Sequence, residues 1–166
     1  MKRLLSILLL TGCVTTAGTR SVPAGQGSIH VDDGGHGTAL PVIFVHGNGT
    51  NLTQWRAQLE HVRRSRRAIA FDLPGMGLSD PPKDGNVSVD RFADSIGAVA
   101  DALHVRRFVL VGHSYGGSVV MAYAAKHPER VAGLVLADAA GHVQMSDEGA
   151  AKFLAALRKN NLSFIG

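Results

Sequence analysis

Short apolar runs alternate with longer stretches of helical spacing between about residue 28 and residue 137. Runs of β-branched and aliphatic residues bounded by glycine or polar residues predict buried strands at 42–45, 68–71, 108–111 and 134–137, with a weaker strand at 29–31. Strands that alternate with helices build parallel sheets. The pattern therefore predicts an α/β fold, a mostly parallel sheet with helices on both faces.

Three helices are predicted between these strands, at residues 53–64, 89–103 and 117–127. Trp55 and Phe92 occupy helical positions that we expect to be core. Pro128 ends the third helix, because proline lacks the backbone donor that a helix interior needs. A last helix is predicted at about 147–160, with Ser146 as its cap.

The N-terminus has the pattern of an export signal. Lys2 and Arg3 precede an apolar run at residues 4–10 that is too short to span a bilayer as a helix. The sequence Leu-Thr-Gly before Cys13 resembles the lipobox at which bacterial lipoproteins are cleaved and acylated. We expect residues 1–12 to be removed and Cys13 to carry the lipid, which places the protein in the bacterial cell envelope, on the outer membrane or the cell membrane surface. An ordinary secretory signal with a chance cysteine is the alternative.

Residues 13–27 are rich in Thr, Ser, Gly and Pro, which predicts a flexible tether. Residues 28–166 are then one partial domain, with a cap beginning at about residue 141. The formal net charge is +4, and without Lys2 and Arg3 there are 15 basic and 13 acidic residues. This excess is too small to predict a nucleic-acid partner. A single cysteine excludes an intrachain disulfide framework.

The segment Gly112-His113-Ser114-Tyr115-Gly116 lies between the strand at 108–111 and the helix at 117–127. Glycines on both sides of a serine, set between a strand and a helix, are typical of a tight turn that exposes a nucleophile. The turn lies at the C-terminal end of the sheet, where open α/β sheets bind ligands, and at the positive end of a helix. Ser114 is therefore the candidate nucleophile, with a simple packing turn as the alternative.

His46-Gly47-Asn48-Gly49-Thr50 follows the strand at 42–45. Attack on an ester places negative charge on the carbonyl oxygen, and backbone amides held in advance stabilise that charge. A glycine-rich loop at this position can present such amides. An ordinary strand-to-helix connection is the alternative.

These motifs, with Asp72-Leu73-Pro74-Gly75-Met76-Gly77-Leu78-Ser79 between them, resemble the α/β-hydrolase family over about residues 29–140. In that family such loops follow the third, fourth and fifth strands. The resemblance implies Ser114 as nucleophile, the amides of Asn48 and Tyr115 as the oxyanion hole, and Gly112 and Gly116 as the glycines of the elbow. Serine rather than aspartate at position 114 argues against the haloalkane dehalogenase and epoxide hydrolase branches.

Several other residues are expected to be structural. His46 and His113 occupy positions that the family uses for packing and turn support, and Asp72 is expected to anchor its own loop. The arginines at 63, 64, 66 and 67 are expected to be a solvated helix end, with contact to anionic lipid headgroups as a further hypothesis.

A serine nucleophile needs a base and an acid that orients the base. In the family these follow the eighth and seventh strands, whereas this sequence matches only as far as the sixth. His142, just past the sixth strand, is a candidate for the base. Asp138 is a candidate for the acid, since some family members place it after the sixth strand; a turn residue is the alternative. We expect the chain to be truncated after the sixth strand, with an unpaired apolar edge there, and to be poorly soluble and nearly inactive by itself.

The predicted function is hydrolysis of a carboxylic ester or related acyl compound through an acyl-serine intermediate, without a metal or an organic cofactor. The expected partners are a small-molecule substrate and a membrane, with no nucleic acid and with the oligomeric state left open. Two alternatives remain. One is a non-catalytic surface lipoprotein that retains the fold, and the other is a cofactor-free enzyme of the perhydrolase or haloperoxidase type.

Overall fold

The structure is a computed structural model that describes residues 15–24, 27–140, 148 and 155. Its strands are β1 (Thr15–Ala24), β2 (Gly27–Gly35), β3 (Val42–Val45), β4 (Ala68–Phe71), β5 (Phe108–His113) and β6 (Val131–Ala137). Its helices are α1 (Arg56–Val62), α2 (Val89–Ala102) and α3 (Tyr115–Lys126), and a short 3-10 helix (Leu52–Trp55) precedes α1.

The six strands form one mixed sheet in the order β1-β2-β4-β3-β5-β6. Strands β3, β4, β5 and β6 are mutually parallel, and the β1–β2 hairpin adds to β4 in the antiparallel direction. The predicted α/β-hydrolase architecture is confirmed. Strands β3, β5 and β6 end at the same edge of the sheet, and Ser114 follows β5 at that edge.

Alternation along the strands separates two layers of core. Ile43, Val45, Ile69 and Leu110 face the layer under α2 and α3. Phe44, Ala70 and Val111 face the layer under α1, where Trp55 and Leu59 also pack. Helices cover both faces, as predicted. β6 lies at the end of the described sheet, and its Val135 is 42% exposed.

The expectation of a flexible tether at residues 13–27 is wrong over the part that the structure describes. Thr15–Ala24 is a strand paired with β2. Sheet pairing needs only backbone donors and acceptors, and a strand on the rim of a sheet buries few side chains, so the polar composition was a poor guide. Arg20 donates to the fully buried Asp33 at 2.9 Å, and Arg67 donates to both oxygens of that carboxylate at 2.8 Å.

The predicted helices are confirmed in position but not in every boundary. The stretch predicted as one helix at 53–64 is a 3-10 turn capped by Asn51, followed by the seven-residue α1. Ser88 caps α2, because its hydroxyl accepts from the Arg91 amide at 3.2 Å. The last predicted helix, at 147–160, lies almost wholly outside the described residues.

Candidate active site

Ser114 occupies the turn between β5 and α3. Its φ of 50° and ψ of −122° lie in a region that residues other than glycine rarely adopt, so the turn stores strain. A Cβ atom on Gly112 would lie 2.5 Å from the Gly116 carbonyl oxygen, and one on Gly116 would lie 2.4 Å from the His46 carbonyl oxygen. Both neighbouring positions therefore require glycine, as the sequence predicted for a tight turn.

The end of β6 holds this turn in place. The Ser114 amide donates to the Ala137 carbonyl oxygen at 3.1 Å, and the Ser114 carbonyl oxygen accepts from the amides of Gly117 and Ala140, each at 2.9 Å. The Ser118 hydroxyl donates to the Ala140 carbonyl oxygen at 2.7 Å. The strained backbone of Ser114 is thus fixed by hydrogen bonds from two directions.

The loop after β3 packs directly against Ser114. A Cβ atom on Gly47 would lie 3.3 Å from the Ser114 Cβ atom. The Gly47 amide is already used, since it donates to the Gln54 side-chain oxygen at 3.2 Å. Within the described part of the chain, the amides of Asn48 and Tyr115 have no hydrogen-bond partner. These are the two amides predicted for the oxyanion hole, and that role stays a prediction.

Sequence reasoning missed the side chains that shape this loop. The Thr50 hydroxyl contacts both the Gly47 carbonyl oxygen, at 3.0 Å, and the Gln54 side-chain oxygen, at 2.8 Å. Gln54 therefore joins the loop to the first turn of the helical segment that follows it. The only signal in the sequence was a polar residue placed one turn after a glycine-rich loop, which is too common to single out.

His46 is fully buried and connects two loops. Its Nε2 atom accepts from the Leu73 amide at 3.0 Å, so the ring proton must be on Nδ1, which donates to the Gly47 carbonyl oxygen at 2.8 Å. Burial lowers the pKa of His46, although the Gly47 carbonyl and the Asp72 carboxylate oppose this effect. A neutral ring with both nitrogens engaged supports the loops and is no candidate for the base.

Asp72 anchors its own loop, as expected, and the segment after β3 as well. One carboxylate oxygen accepts from the Leu52 amide at 2.7 Å, and the other accepts from the Leu78 amide at 2.9 Å. The Ser79 hydroxyl donates to the Asp72 carbonyl oxygen at 2.7 Å. The loops after β3 and β4 are therefore one connected unit beside Ser114.

The remaining site residues are not brought together. The His113 ring packs edge-on against Trp55, with ring centroids 6.4 Å apart, and its buried Nδ1 atom has no hydrogen-bond partner among the described residues. Asp138 is exposed at the end of β6 with a φ of 42°. Cys13 and His142 lie outside the described residues. No histidine of segments 15–24 and 27–140 bonds to the Ser114 hydroxyl.

Neither a metal-binding cluster nor a membrane-spanning helix is found among the described residues. No cluster of three or more histidine, cysteine, aspartate or glutamate side chains in this part of the chain is placed to hold a metal ion. No helix among the same residues combines the length and the apolar character needed to cross a bilayer.

Residues 41–163 match the family described as the alpha/beta hydrolase fold. The chain belongs to this family. It is 40% identical over 108 residues to a 2-hydroxymuconate semialdehyde hydrolase from a Pseudomonas species, a match that covers 63% of this chain and 38% of that protein. Named hydrolases among its relatives agree with the prediction of a hydrolase.

Two solved structures of hydrolases are similar as well. A thermophilic esterase from Thermogutta terrifontis matches with a TM-score of 0.66 and 33% identity, over 80% of this chain and 49% of the esterase. A meta-cleavage product hydrolase from Pseudomonas fluorescens matches with a TM-score of 0.69 and 30% identity, over 84% of this chain and 56% of that one. The chain thus spans about two fifths to just over half the length of these alpha/beta hydrolases.

Proposed function

We propose that the protein is a serine hydrolase that cleaves a carboxylic ester or a related acyl compound through an acyl-serine intermediate. The observation that carries the proposal is the strained turn at Ser114, which lies against Gly47 and at the N-terminus of α3. Strain of this kind is kept where the surrounding structure compensates for it and where function needs it. Ester hydrolysis is favoured because an esterase is among the similar structures.

In the proposed reaction, the Ser114 Oγ atom forms a bond to the carbonyl carbon of the substrate and loses its proton to a base. The carbonyl oxygen becomes an oxyanion that accepts hydrogen bonds from the amides of Asn48 and Tyr115. Collapse expels the alcohol, which takes the proton, and water then releases the acid. Each amide donor is worth about 3 kcal/mol in the transition state.

Labelling with a fluorophosphonate probe tests this proposal. The probe phosphonylates an activated serine with loss of fluoride, so we expect incorporation that is lost in Ser114→Ala. Because no described histidine bonds to the Ser114 hydroxyl, we expect the labelling to be slow and the turnover of p-nitrophenyl esters to be low for this chain. Equal labelling of the two proteins would refute the serine mechanism and favour a binding protein that retains the fold.

A second candidate substrate class comes from the relatives. Two of the similar proteins are named 2-hydroxymuconate semialdehyde hydrolase and meta-cleavage product hydrolase. A panel that contains both 2-hydroxymuconate semialdehyde and p-nitrophenyl esters separates the two classes. A Ser114-dependent preference for the semialdehyde would replace the ester in the proposal.

We also propose that the protein is exported and attached to a membrane of the bacterial envelope through a lipid on Cys13. The support is the Leu-Thr-Gly-Cys sequence after a short apolar run. Incorporation of labelled palmitate and partition into the detergent phase should be lost in Cys13→Ser. Release of an unlipidated chain into the medium or periplasm would instead indicate an ordinary secretory signal.

A further inference from the structure

Arginines gather at the edge of the sheet where the parallel strands begin. Arg66 and Arg67 precede β4, Arg106 and Arg107 precede β5, and Arg130 precedes β6. We call residues 63–67, 103–107 and 127–130 the basic edge. Ser114 lies at the other end of β5, roughly 20 Å away at 3.3 Å per residue. The chemistry and the basic edge are therefore at opposite ends of the strands.

Part of this charge is neutralised within the fold. Arg63 pairs with Asp32 at 2.7 Å, Arg67 with Asp33 at 2.8 Å and Arg130 with Asp101 at 2.8 Å. The expectation that the arginines at 63, 64, 66 and 67 are all a solvated helix end is thus wrong for two of them, because Arg63 and Arg67 bind carboxylates of β2.

Three arginines of the basic edge keep their charge uncompensated. Among the described residues, no carboxylate lies within ion-pair distance of Arg64, Arg66 or Arg106. The remaining carboxylate there, Glu129, faces His127 at 3.7 Å. The basic edge therefore carries a net positive charge in spite of the ion pairs.

The chain also enters the fold at this edge. Thr15, the first described residue, pairs with Gly35. A Cβ atom on Gly35 would lie 2.4 Å from the Arg66 carbonyl oxygen and 3.0 Å from the Arg63 Cγ atom. Cys13 precedes Thr15 by two residues, which span at most about 7 Å. A lipid on Cys13 would thus emerge beside the basic edge.

We propose that the basic edge rests on an anionic lipid surface, with the Ser114 edge turned away from it toward solvent. Positive charge and the entry point of the chain independently select the same edge. The orientation goes beyond the proposed hydrolysis. Its argument from charge stands without the lipid, whereas its argument from the entry point of the chain rests on the proposed lipid attachment at Cys13. Each arginine near an anionic bilayer strengthens binding about fivefold, and salt screens this effect.

Vesicle flotation of residues 13–166 carrying Cys13→Ser, which lack the lipid and the apolar run at residues 4–10, measures the electrostatic part alone. One set of vesicles is phosphatidylcholine, and the other contains about 30% phosphatidylglycerol. Arg64→Glu/Arg106→Glu changes the basic edge. Arg56→Glu/Lys83→Glu changes the net charge equally, at exposed positions that belong to the segments following β3 and β4. Thermal melting checks that both variants remain folded.

We expect binding to the anionic vesicles alone, weakened at least about 25-fold by the edge substitutions and only about 2-fold by the control pair. An environment-sensitive dye at His104→Cys should respond to vesicles, whereas the same dye at the exposed Leu78→Cys should not. Equal losses in the two charge variants, or a response from position 78, would overturn the orientation. Binding to heparin without binding to vesicles would identify a soluble polyanion as the partner. Because labelling of Ser114 is measured separately, failure here leaves the proposed hydrolysis untouched.

Discussion

Replacement of Ser114 by glycine should make the protein more stable as well as inactive. At φ 50° and ψ −122° a residue with a Cβ atom costs about 1–3 kcal/mol, and glycine removes most of that cost. Glycine also gives the unfolded chain more freedom, which takes back about 0.4–1 kcal/mol. Relative to Ser114→Ala, which keeps the strain but lacks the hydroxyl, we expect Ser114→Gly to gain about 1 kcal/mol in the free energy of unfolding.

For a chain of 166 residues this gain corresponds to a rise in Tm of about 3 °C, measurable by calorimetry or by urea titration. Neither variant should react with a fluorophosphonate. Ser21, an exposed serine without a positive φ, provides the matched control. There glycine should melt below alanine. If Ser114→Gly melts at or below Ser114→Ala, the turn is not strained and the argument for a functional turn loses its basis.

Three further predictions follow from contacts in the structure. Gly116→Ala places a Cβ atom 2.4 Å from the His46 carbonyl oxygen and should cost about 3 kcal/mol in a urea titration, whereas Gly18→Ala, with open space around it, should change stability little. Because the pKa of His46 is lowered in the folded protein, the neutral ring stabilises the fold fully above about pH 6.5, and this stabilisation is lost as the pH falls toward the folded-state pKa. Between about pH 7 and pH 5, the Tm of His46→Gln should therefore fall less steeply than that of the unchanged protein. Parallel Tm curves for the two proteins would contradict this. Asp33→Asn should lower the free energy of unfolding by about 2 kcal/mol and speed hydrogen exchange in β1, because Arg20 and Arg67 lose their buried carboxylate. Unchanged exchange would show that β1 is held by other contacts.

Local patterns were enough for the centre of the fold. Strands β3 and β4 match the predicted ranges, because a strand that is buried on both faces consists of an unbroken run of apolar residues. The turn at Ser114 was also predictable, since the small residues that it requires are adjacent in the sequence. Both are cases in which the physical constraint acts within a few neighbouring residues.

Contacts between distant residues were beyond such reasoning. The strand β1 looked like a tether because its sequence has no apolar run, whereas its pairing with β2 and the ion pair of Arg20 with Asp33, 13 positions away, exist only in the folded sheet. The arginines at 63–67 looked alike in the sequence, yet the fold pairs two of them with Asp32 and Asp33 and leaves Arg64 and Arg66 without a carboxylate partner among the described residues.

The sequence by itself thus determined the α/β class, the order of the strands along the chain and the serine turn, because periodicity and local sterics decide these features. Only the tertiary structure decided that the N-terminal hairpin joins the sheet, that His46 and Asp72 connect the loops beside Ser114, and that the unpaired arginines lie at the edge opposite the site. These features depend on which residues from distant parts of the chain come into contact, and local patterns in a single sequence do not specify those contacts.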